Sequence, residues 1–353
     1  MHKIFMHRCL QLASQGKYST APNPLVGSVI VHNGKIIGEG YHIKAGEPHA
    51  EINAINSVKD KTLLSQSTLY VNLEPCSHYG KTPPCAKKIA QLKIPRVVIG
   101  IKDLSSKVNG KGIEILKNAG IEVITNVLHK QSFEINKRFF TNQLLQRPYI
   151  ILKWAQTKDR LIDKTHKTSP QVNWITNTIS KHLVHKWRAQ LSAILIGKNT
   201  AIKDNPSLNT REWFGYNPIP IILTHNPNDL PSSLQLFKIH KKVIILNHTK
   251  DKIENNIHYI NTKDKTLSQT LTLLYKQHNI YSLMVEGGTK TLNTFINNNL
   301  WDETKIFTGS QYWNNGIKAP EFPYIPFKEE FLDNVLLQHY SNSKSLSYEN
   351  LFN

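Results

Sequence analysis

Cysteine is scarce in this chain, with three residues in 353. Because the count is small and odd, a disulfide framework is excluded, and the thiols are expected to pack or to do chemistry. Cys9 falls in the apolar stripe of the first predicted helix and is expected in the core. The other two lie in Leu73-Glu-Pro-Cys-Ser-His-Tyr-Gly-Lys-Thr-Pro-Pro-Cys85, where eight residues separate them. Zinc sites often place two cysteines only two residues apart, so this spacing requires an explanation.

Long hydrophobic runs are also lacking. No stretch of 18 consecutive apolar residues occurs, and the first residues form an amphipathic pattern without the apolar core of a signal peptide. These absences predict no membrane partner and a cytoplasmic location. The hydrophobic content of 39% is typical of a soluble globular protein, and 353 residues are enough for two domains, each with its own core.

Acidic residues are few, with 25 against 44 lysines and arginines, and the formal net charge is +19. A basic surface can bind nucleic acid or attract small phosphorylated substrates. The lysines are spread along the whole chain and accompany many asparagines and isoleucines. The composition therefore predicts no dedicated nucleic-acid surface.

Strand and helix patterns alternate in both halves, which predicts two α/β domains without an internal repeat. The pair Asn33-Gly34 predicts a two-residue turn in a hairpin of residues 24–41. Arg147-Pro148 marks the boundary, giving domains of residues 1–146 and 147–353. Residues 203–218 and the tail beyond 312 lack clear periodicity. Helices are predicted over 2–16, 48–58, 84–92, 129–145, 177–190, 265–278 and 289–299. A further helix followed by a strand is predicted within 113–124. Strands are predicted over 68–73, 96–101, 149–155, 193–196, 219–224, 242–247, 282–286 and 304–308.

A metal site is predicted from His49 and Glu51 together with the two neighbouring cysteines. His-x-Glu followed by Pro-Cys and a second cysteine is the signature of zinc deaminases, in which the His and both Cys bind zinc and the Glu does not. The fourth zinc position is left for water, which zinc makes acidic, and Glu51 moves the proton. Alone, His49 is more typical of a helix cap and Glu51 of a solvated acid near a helix N-terminus. Together with Cys76 and Cys85 they indicate a catalytic zinc site.

The motifs of the first half closely resemble the bifunctional riboflavin-biosynthesis deaminase/reductase family. They are Pro22-Asn-Pro-Leu-Val-Gly27, His49-Ala-Glu51 and Glu74-Pro-Cys-Ser-His-Tyr-Gly-Lys-Thr-Pro-Pro-Cys85. The resemblance implies a cytidine-deaminase-like three-layer domain and explains the long loop between the cysteines. It implies a diamino-hydroxy-pyrimidine substrate with a phosphoribosylamino group, which deamination converts to the uracil. The implied substrate contacts are Asn23 and His42 for the base or sugar, and His78, Lys81 and Thr82 for the ribosyl phosphate.

The second half resembles the reductase domain of the same family, which implies a dihydrofolate-reductase-like fold and NADPH as cofactor. The segment Met284-Val-Glu-Gly-Gly-Thr-Lys-Thr-Leu292 is a strand, two glycines and a helix start, an arrangement that presents free amides to a pyrophosphate. The cofactor contacts that the resemblance implies are Gln156, Trp174, Thr200, Asp204, Gly287, Gly288, Thr289, Lys290, Thr291 and Leu292. The implied substrate contacts are Lys153, Arg188, Leu208, Arg211 and Glu286. The resemblance also implies a homo-oligomer, either a dimer or a tetramer.

The chain departs from the family pattern at several positions. Asp103-Leu-Ser-Ser replaces the usual Asp-Pro-Asn-Pro, Arg160 replaces a glycine, and Val172 and Thr224 replace the usual Ser and Asp. The glycine is expected to allow close backbone approach or an unusual φ. Two other interpretations stay open at this point. One is a nucleic-acid (tRNA) base deaminase with a basic C-terminal binding domain, and the other is a non-catalytic scaffold stabilised by zinc.

Overall fold

The computed structural model describes most of the chain. Three positions discussed above, Lys81, Thr82 and Val172, lie outside the described residues. Among the described residues, no helix combines the length and the apolar character that spanning a membrane requires. The described residues are 1–79, 83–106, 108–165 and 174–352.

The chain folds into two compact units. The first comprises Met1–Leu145 together with Tyr348–Asn353, and the second comprises Gln146–Ser347. The division differs from the predicted domains at the C-terminus, because the last helix joins the first unit. In that helix the Tyr348 hydroxyl lies 2.9 Å from Nδ1 of His129. The domain to which this helix belongs is therefore decided by its contacts and not by its position in the sequence.

The first unit contains a five-stranded sheet in the order β2-β1-β3-β4-β5. Strand β1 pairs antiparallel with β2 and β3, whereas β3, β4 and β5 are parallel. The hairpin turn is confirmed, with φ of 48° at Asn33 and 75° at Gly34. The strands are β1 (Gly27–His32), β2 (Lys35–Tyr41), β3 (Thr68–Leu73), β4 (Arg96–Ile101) and β5 (Glu122–Ile124), and the helices are α1 (His2–Ala13), α2 (Ala50–Ser57), α3 (Cys85–Gln91), α4 (Lys111–Asn118) and α5 (His129–Leu145).

Helices cover both faces of this sheet and give three layers. Alternate residues of β1 point in opposite directions, as a pleated strand requires. Val29 and Val31 pack with Cys9 and the other apolar residues of α1. Ile30 packs on the opposite face with residues of α2, α3 and α4. Cys9 is fully buried, as expected.

In the second unit, ten of the described strands form one sheet, in the order β11-β12-β10-β9-β8-β13-β6-β14-β17-β16. The strands from β12 to β14 run parallel, and β11, β17 and β16 pair antiparallel at the edges. The strands are β6 (Tyr149–Gln156), β7 (Leu161–Asp163), β8 (Ala193–Gly197), β9 (Ile219–Leu223), β10 (Val243–Asn247), β11 (Lys252–Glu254), β12 (Ile257–Asn261), β13 (Ser282–Val285), β14 (Glu303–Thr308), β15 (Ile317–Lys318), β16 (Lys328–Leu332) and β17 (Val335–Ser341). The helices are α6 (Thr178–Arg188), α7 (Lys198–Asp204), α8 (Gln235–Ile239), α9 (Leu267–His278) and α10 (Thr289–Asn297), and helix α11 (Tyr348–Phe352) completes the first unit.

Both faces of the second sheet are buried, which is usual for parallel strands covered by helices. Along β6, Ile150 and Leu152 belong to one core and Tyr149 and Ile151 to the other. The tail beyond residue 312, which lacks clear periodicity, contains three strands. These strands are short and polar, as in Lys328–Leu332, so their sequences do not show a strong alternation of apolar and polar residues.

Arg160 occupies a left-handed turn between β6 and β7, with φ of 61°. Its amide donates to the carbonyl of Thr157 at 2.9 Å, and its carbonyl accepts from the amide of Ala319 at 2.8 Å. Non-glycine residues rarely adopt this φ. The turn explains why glycine suits this position, and the arginine accepts the same conformation.

A buried ion pair stabilises the second unit. Arg147 contacts both oxygens of Asp302, through Nη1 at 2.7 Å and Nη2 at 2.8 Å. The same carboxylate accepts from the amide of Ile150 at 2.7 Å and from the hydroxyl of Ser345. Arg147 is 7% exposed and Asp302 is 4% exposed, so removing one partner would leave the other charge buried.

We expect Asp302→Ala to lower the free energy of unfolding of the second unit by about 3–5 kcal/mol. All six tryptophans lie in this unit, so tryptophan fluorescence during urea denaturation follows it selectively. Glu254→Ala is the control, because its ion pair with Lys252 is exposed to solvent and contributes little to stability. Equal losses for the two variants would contradict this interpretation of the buried pair.

Candidate functional site

Three metal-ligating side chains of the first unit converge on one point. His49 is the N-cap of α2, Cys85 is the first residue of α3, and Cys76 follows β3. Nδ1 of His49 lies 3.5 Å from Sγ of Cys76 and 3.4 Å from Sγ of Cys85. All the ligand atoms lie within 4.8 Å of one another. One imidazole nitrogen and two thiolate sulfurs are a donor set that zinc prefers, so the residues fit this ion.

The helix predicted from Pro48 begins two residues later, at Ala50. His49 keeps an extended backbone, with φ of −71° and ψ of 163°, and stands just before the first turn. At α3, the amide of Cys85 donates to Sγ of Cys76 at 3.2 Å. The amide of Ala86 donates to the carbonyl of Cys76 at 3.2 Å. The start of α3 therefore holds Cys76 next to Cys85.

The charges of the three ligand residues are coupled. The hydrogen bond between the two thiols favours charge on Cys76 and, despite burial, lowers the pKa of that thiol to about 4. The same hydrogen bond, with burial, raises the pKa of Cys85. Hydrogen bonding to Cys76 raises the pKa of His49 to about 9, although burial opposes it. The cluster thus stabilises a thiolate at Cys76, the form that binds metal.

Glu51 is buried in the first turn of α2, with 3% of its surface exposed. Burial, and then the charge of Cys76, raise the pKa of this carboxyl to about 7, against the opposing charge of His49. Its side chain also forms a hydrogen bond with Cys85. A carboxyl poised near neutral pH beside a metal centre can both accept and deliver a proton.

Two predicted substrate contacts lie together beside the metal ligands. Nδ2 of Asn23 is 3.0 Å from Nε2 of His42, and Nδ1 of His42 is 3.2 Å from the carbonyl of Pro48. The rings of His42 and His49 meet edge to face at 5.4 Å. Burial lowers the pKa of His42, which favours the neutral ring. A neutral His42 can donate to Pro48 and accept from Asn23 at the same time.

The remaining predicted contact of this loop that the structure describes is His78, which is exposed. The nearby Asp103 is 6% exposed. Burial raises the pKa of Asp103, while the amide of Ser105 donates to its carboxylate at 2.8 Å.

Two asparagines that the sequence did not single out hold the segment that carries Asn23. Asn136 of α5 contacts both main-chain groups of Leu25, accepting from its amide at 2.8 Å and donating to its carbonyl at 3.0 Å. Asn72 of β3 donates to the same carbonyl at 3.0 Å and accepts from the amide of Gly27 at 2.8 Å. Both are almost fully buried. The sequence signal that could have indicated such a role is a polar residue within a predicted strand, such as Asn72.

In the second unit, Lys153 and Arg188 share one half-buried carboxylate. Nζ of Lys153 lies 3.3 Å from Oε2 of Glu286, and Arg188 contacts the carboxylate through Nη2 at 3.1 Å and Nε at 3.3 Å. Burial by itself would raise the pKa of Glu286, but the two cations outweigh it and lower the pKa to about 2. Two cations on one carboxylate leave one positive charge in excess. This arrangement can bind a phosphate group.

The glycine-rich turn brings together the N-termini of two helices. Gly288 is the N-cap of α10 and Gly197 is the N-cap of α7. A Cβ atom on Gly287 would lie 3.3 Å from the Gly197 nitrogen, so the two turns are adjacent. Among the described residues, a Cβ on Gly288 would meet only Oγ1 of Thr200, at 3.9 Å, although its φ of −66° suits any residue. The space beside Gly288 is therefore open, as a pyrophosphate cradle requires.

The other predicted contacts of this unit are divided between exposed and buried positions. Leu208 and Leu292 have buried side chains, so only their main chains can meet a ligand. Trp174 is 59% exposed, and Lys181 lies 5.5 Å above its ring. Nη1 of Arg211 is hydrogen-bonded to Ser207 and Asn209. Gln156 is hydrogen-bonded to Trp154 and Thr308, and Thr289 donates to the carbonyl of Lys318. Thr291 is buried and Lys290 is exposed. Asp204 is the last residue of α7.

Comparison with known proteins identifies the family of each unit. The family model for the cytidine and deoxycytidylate deaminase zinc-binding region matches residues 1–101, and the model for the RibD C-terminal domain matches residues 148–311. The chain is 38% identical over 322 residues to the riboflavin biosynthesis protein RibD of Aquifex aeolicus, covering 89% of this chain and 88% of that protein. The chain belongs to the RibD family. The expected pairing of a cytidine-deaminase domain with a dihydrofolate-reductase-like RibD reductase domain is confirmed.

Two further members of the RibD family are similar over almost their full length. A solved structure from Thermotoga maritima, described as a diaminohydroxyphosphoribosylaminopyrimidine deaminase/5-amino-6-(5-phosphoribosylamino)uracil reductase, is 33% identical with a TM-score of 0.87. The similarity covers 97% of this chain and 98% of the Thermotoga maritima chain. The RibD of Haemophilus influenzae is 35% identical over 86% of this chain and 84% of its own.

The Glu286 cluster predicts a pH dependence of stability. Its folded pKa of about 2 lies below the ordinary carboxyl value of 4.5, so its contribution is complete above that value and is lost as pH falls toward 2. We expect Glu286→Gln to be less stable than the wild type at pH 7 and the difference to shrink between about pH 4.5 and 2. Urea denaturation followed by tryptophan fluorescence measures it. The exposed Glu321→Gln is the control, and a pH-independent gap for Glu286→Gln would refute the assignment.

Proposed function

We propose that this chain catalyses two consecutive steps of riboflavin biosynthesis. The first unit deaminates 2,5-diamino-6-(5-phosphoribosylamino)pyrimidin-4-one hydrolytically, and the second reduces the ribosyl group of the product to ribityl with NADPH. The observation that carries the proposal is the convergence of His49, Cys76 and Cys85 next to the buried Glu51. Membership of the RibD family and the likeness to the Thermotoga maritima deaminase/reductase support the second step.

In deamination, His49, Cys76 and Cys85 hold zinc. Bound zinc supplies a Lewis acid that makes water acidic enough to attack near neutral pH. Glu51 accepts the proton from the attacking water and delivers a proton to the departing amine, so that ammonia leaves. Burial raises the pKa of this carboxyl, which suits a group that must be charged for one transfer and neutral for the other.

The pyrimidine substrate is oriented by the residues beside the zinc ligands. Asn23 and the neutral His42 contact the base or sugar, and the loop of His78, Lys81 and Thr82 contacts the ribosyl phosphate. Asn72 and Asn136 fix the main chain that carries Asn23. We also propose a cytoplasmic homo-oligomer, a dimer or a tetramer, from the family resemblance.

In reduction, the glycine-rich turn and the start of α7 bind the cofactor. When bound, NADPH would supply a hydride to the ribose carbon that carries the amine; the bond from that carbon to the ring oxygen breaks, and the ring oxygen takes a proton from water. Free amides at Gly288–Thr291 and Thr200 bind its pyrophosphate, and Lys153, Arg188 and Arg211 bind the substrate phosphate. Glu286 holds Lys153 and Arg188 in place and contacts the substrate. The remaining cofactor contacts of this proposal are Gln156, Trp174, Asp204, Gly287 and the main chain of Leu292, with the main chain of Leu208 on the substrate.

We expect purified protein to carry about one zinc per chain and Glu51→Gln to keep it while losing deaminase activity by about 10²–10⁴-fold. The amide preserves the shape of the side chain but cannot take the proton. Zinc by mass spectrometry and ammonia release measure the two effects. Glu47→Gln, an exposed glutamate just before the helix, is the matched control. Full activity of metal-free protein, or of Glu51→Gln, would overturn the assignment.

The wild-type chain should oxidise NADPH when it is given the deaminated phosphoribosyl intermediate. We expect Gly288→Val to raise the KM for NADPH at least about tenfold, because its side chain enters the open space of the cradle. The φ of −66° tolerates valine, so the unit should remain folded. Deaminase activity of the same chain serves as the internal control. An unchanged KM would place the cofactor elsewhere.

A further inference from the structure

The carboxylate of Glu74, two residues before Cys76, is surrounded by main-chain amides. Oε2 accepts from Asp103 at 3.1 Å and from Gly110 at 3.0 Å. Oε1 accepts from Gly112 at 2.9 Å and from Ile113 at 3.1 Å. Glu74 is 4% exposed. A carboxylate offers about four acceptor positions, and all four are occupied.

These amides belong to two pieces of chain. Asp103 follows β4, whereas Gly112 and Ile113 lie in the first turn of α4, where helix amides have no partner within the helix. Glu74 therefore joins the end of β4 to the start of α4 through one side chain. Because its own amide donates to the carbonyl of Ile101 at 2.9 Å, its main chain is fixed to β4 as well.

The start of α4 rests directly on the peptide that leads into Cys76. A Cβ atom on Gly112 would lie 2.0 Å from the carbonyl oxygen of Pro75, a distance that no side chain can occupy. Only glycine allows the helix to approach this closely. The main chain before Cys76 is thus held by Glu74 and α4, and the main chain after it by the first amides of α3.

We propose that Glu74 is a positioning residue for the metal centre, which fixes Sγ of Cys76 relative to His49 and Cys85 by anchoring α4 beneath Pro75. It is not a metal ligand or a proton carrier, since its four acceptor positions are filled by amides. The inference rests on the zinc site of the proposed function. Outer residues that orient metal ligands affect metal affinity even though they do not touch the metal.

The test compares full-length Glu74→Gln with wild type and with Glu114→Gln, an exposed glutamate of α4. The substituted side chain of Glu74→Gln has a single acceptor oxygen, so two of the four main-chain donors lose their partner. We expect zinc release to a coloured chelator to be about 10–100-fold faster in Glu74→Gln and unchanged in Glu114→Gln. The visible spectrum of cobalt(II)-substituted protein reports the geometry of the metal ligands in the folded chain. It should change in Glu74→Gln and not in Glu114→Gln.

Gly112→Ala tests the same contact without altering the carboxylate, and it replaces Glu74→Gln if that variant does not fold. It should also release zinc faster and change the cobalt spectrum. The proposal would be overturned if the folded variants released zinc at the wild-type rate and kept the wild-type cobalt spectrum, with only a lower melting temperature. That result would show a purely structural role. Failure of the wild type to bind zinc would instead overturn the proposed function, so the two failures are distinguishable.

Discussion

Parallel strands end at a common edge of their sheet, and the helices that follow begin there with main-chain amides that lack partners within the helix. In the first unit, β3 and β4 end beside the starts of α2, α3 and α4, and these starts supply His49, Glu51, Cys85 and the amides around Glu74. In the second unit, the edge formed by β8 and β13 holds the starts of α7 and α10. The first edge uses its amides to hold a thiolate and a carboxylate, and the second is where we propose that an anionic cofactor binds.

Neighbouring charges determine how the pKa values of the two site carboxyls differ. Glu51 and Glu286 are both enclosed, yet the pKa of Glu51 is raised and that of Glu286 is lowered. Glu51 stands next to the charge of Cys76, whereas Glu286 is paired with two cations. The same residue type is thereby suited to proton transfer in one unit and to permanent charge in the other.

Local signals in the sequence were sufficient for much of the fold and for the metal centre. The hairpin at Asn33-Gly34 and the strand Thr68–Leu73 follow from turn chemistry and apolar pattern. The zinc ligands could be predicted because a His-x-Glu motif followed by Pro-Cys and a second cysteine is found at few other kinds of site. The roles of Asn136 and Glu74 could not be predicted, because their partners are main-chain groups far along the chain that only the folded structure brings near. Strand β16 was missed for a related reason, since an exposed edge strand needs no apolar alternation.

Helix α11 makes the first unit discontinuous in sequence. Its rings from Tyr348 and Phe352 cover His129 and Phe133 of α5, and Lys130 contacts Glu349 at 2.7 Å. During synthesis, the ribosome releases this helix only after the whole second unit has been made. The nascent first unit therefore exposes that surface of α5 until the second unit has been made. A gene cut at the boundary near residue 146 would produce a first fragment in which the surface stays uncovered permanently, so splitting the two activities requires moving α11 as well.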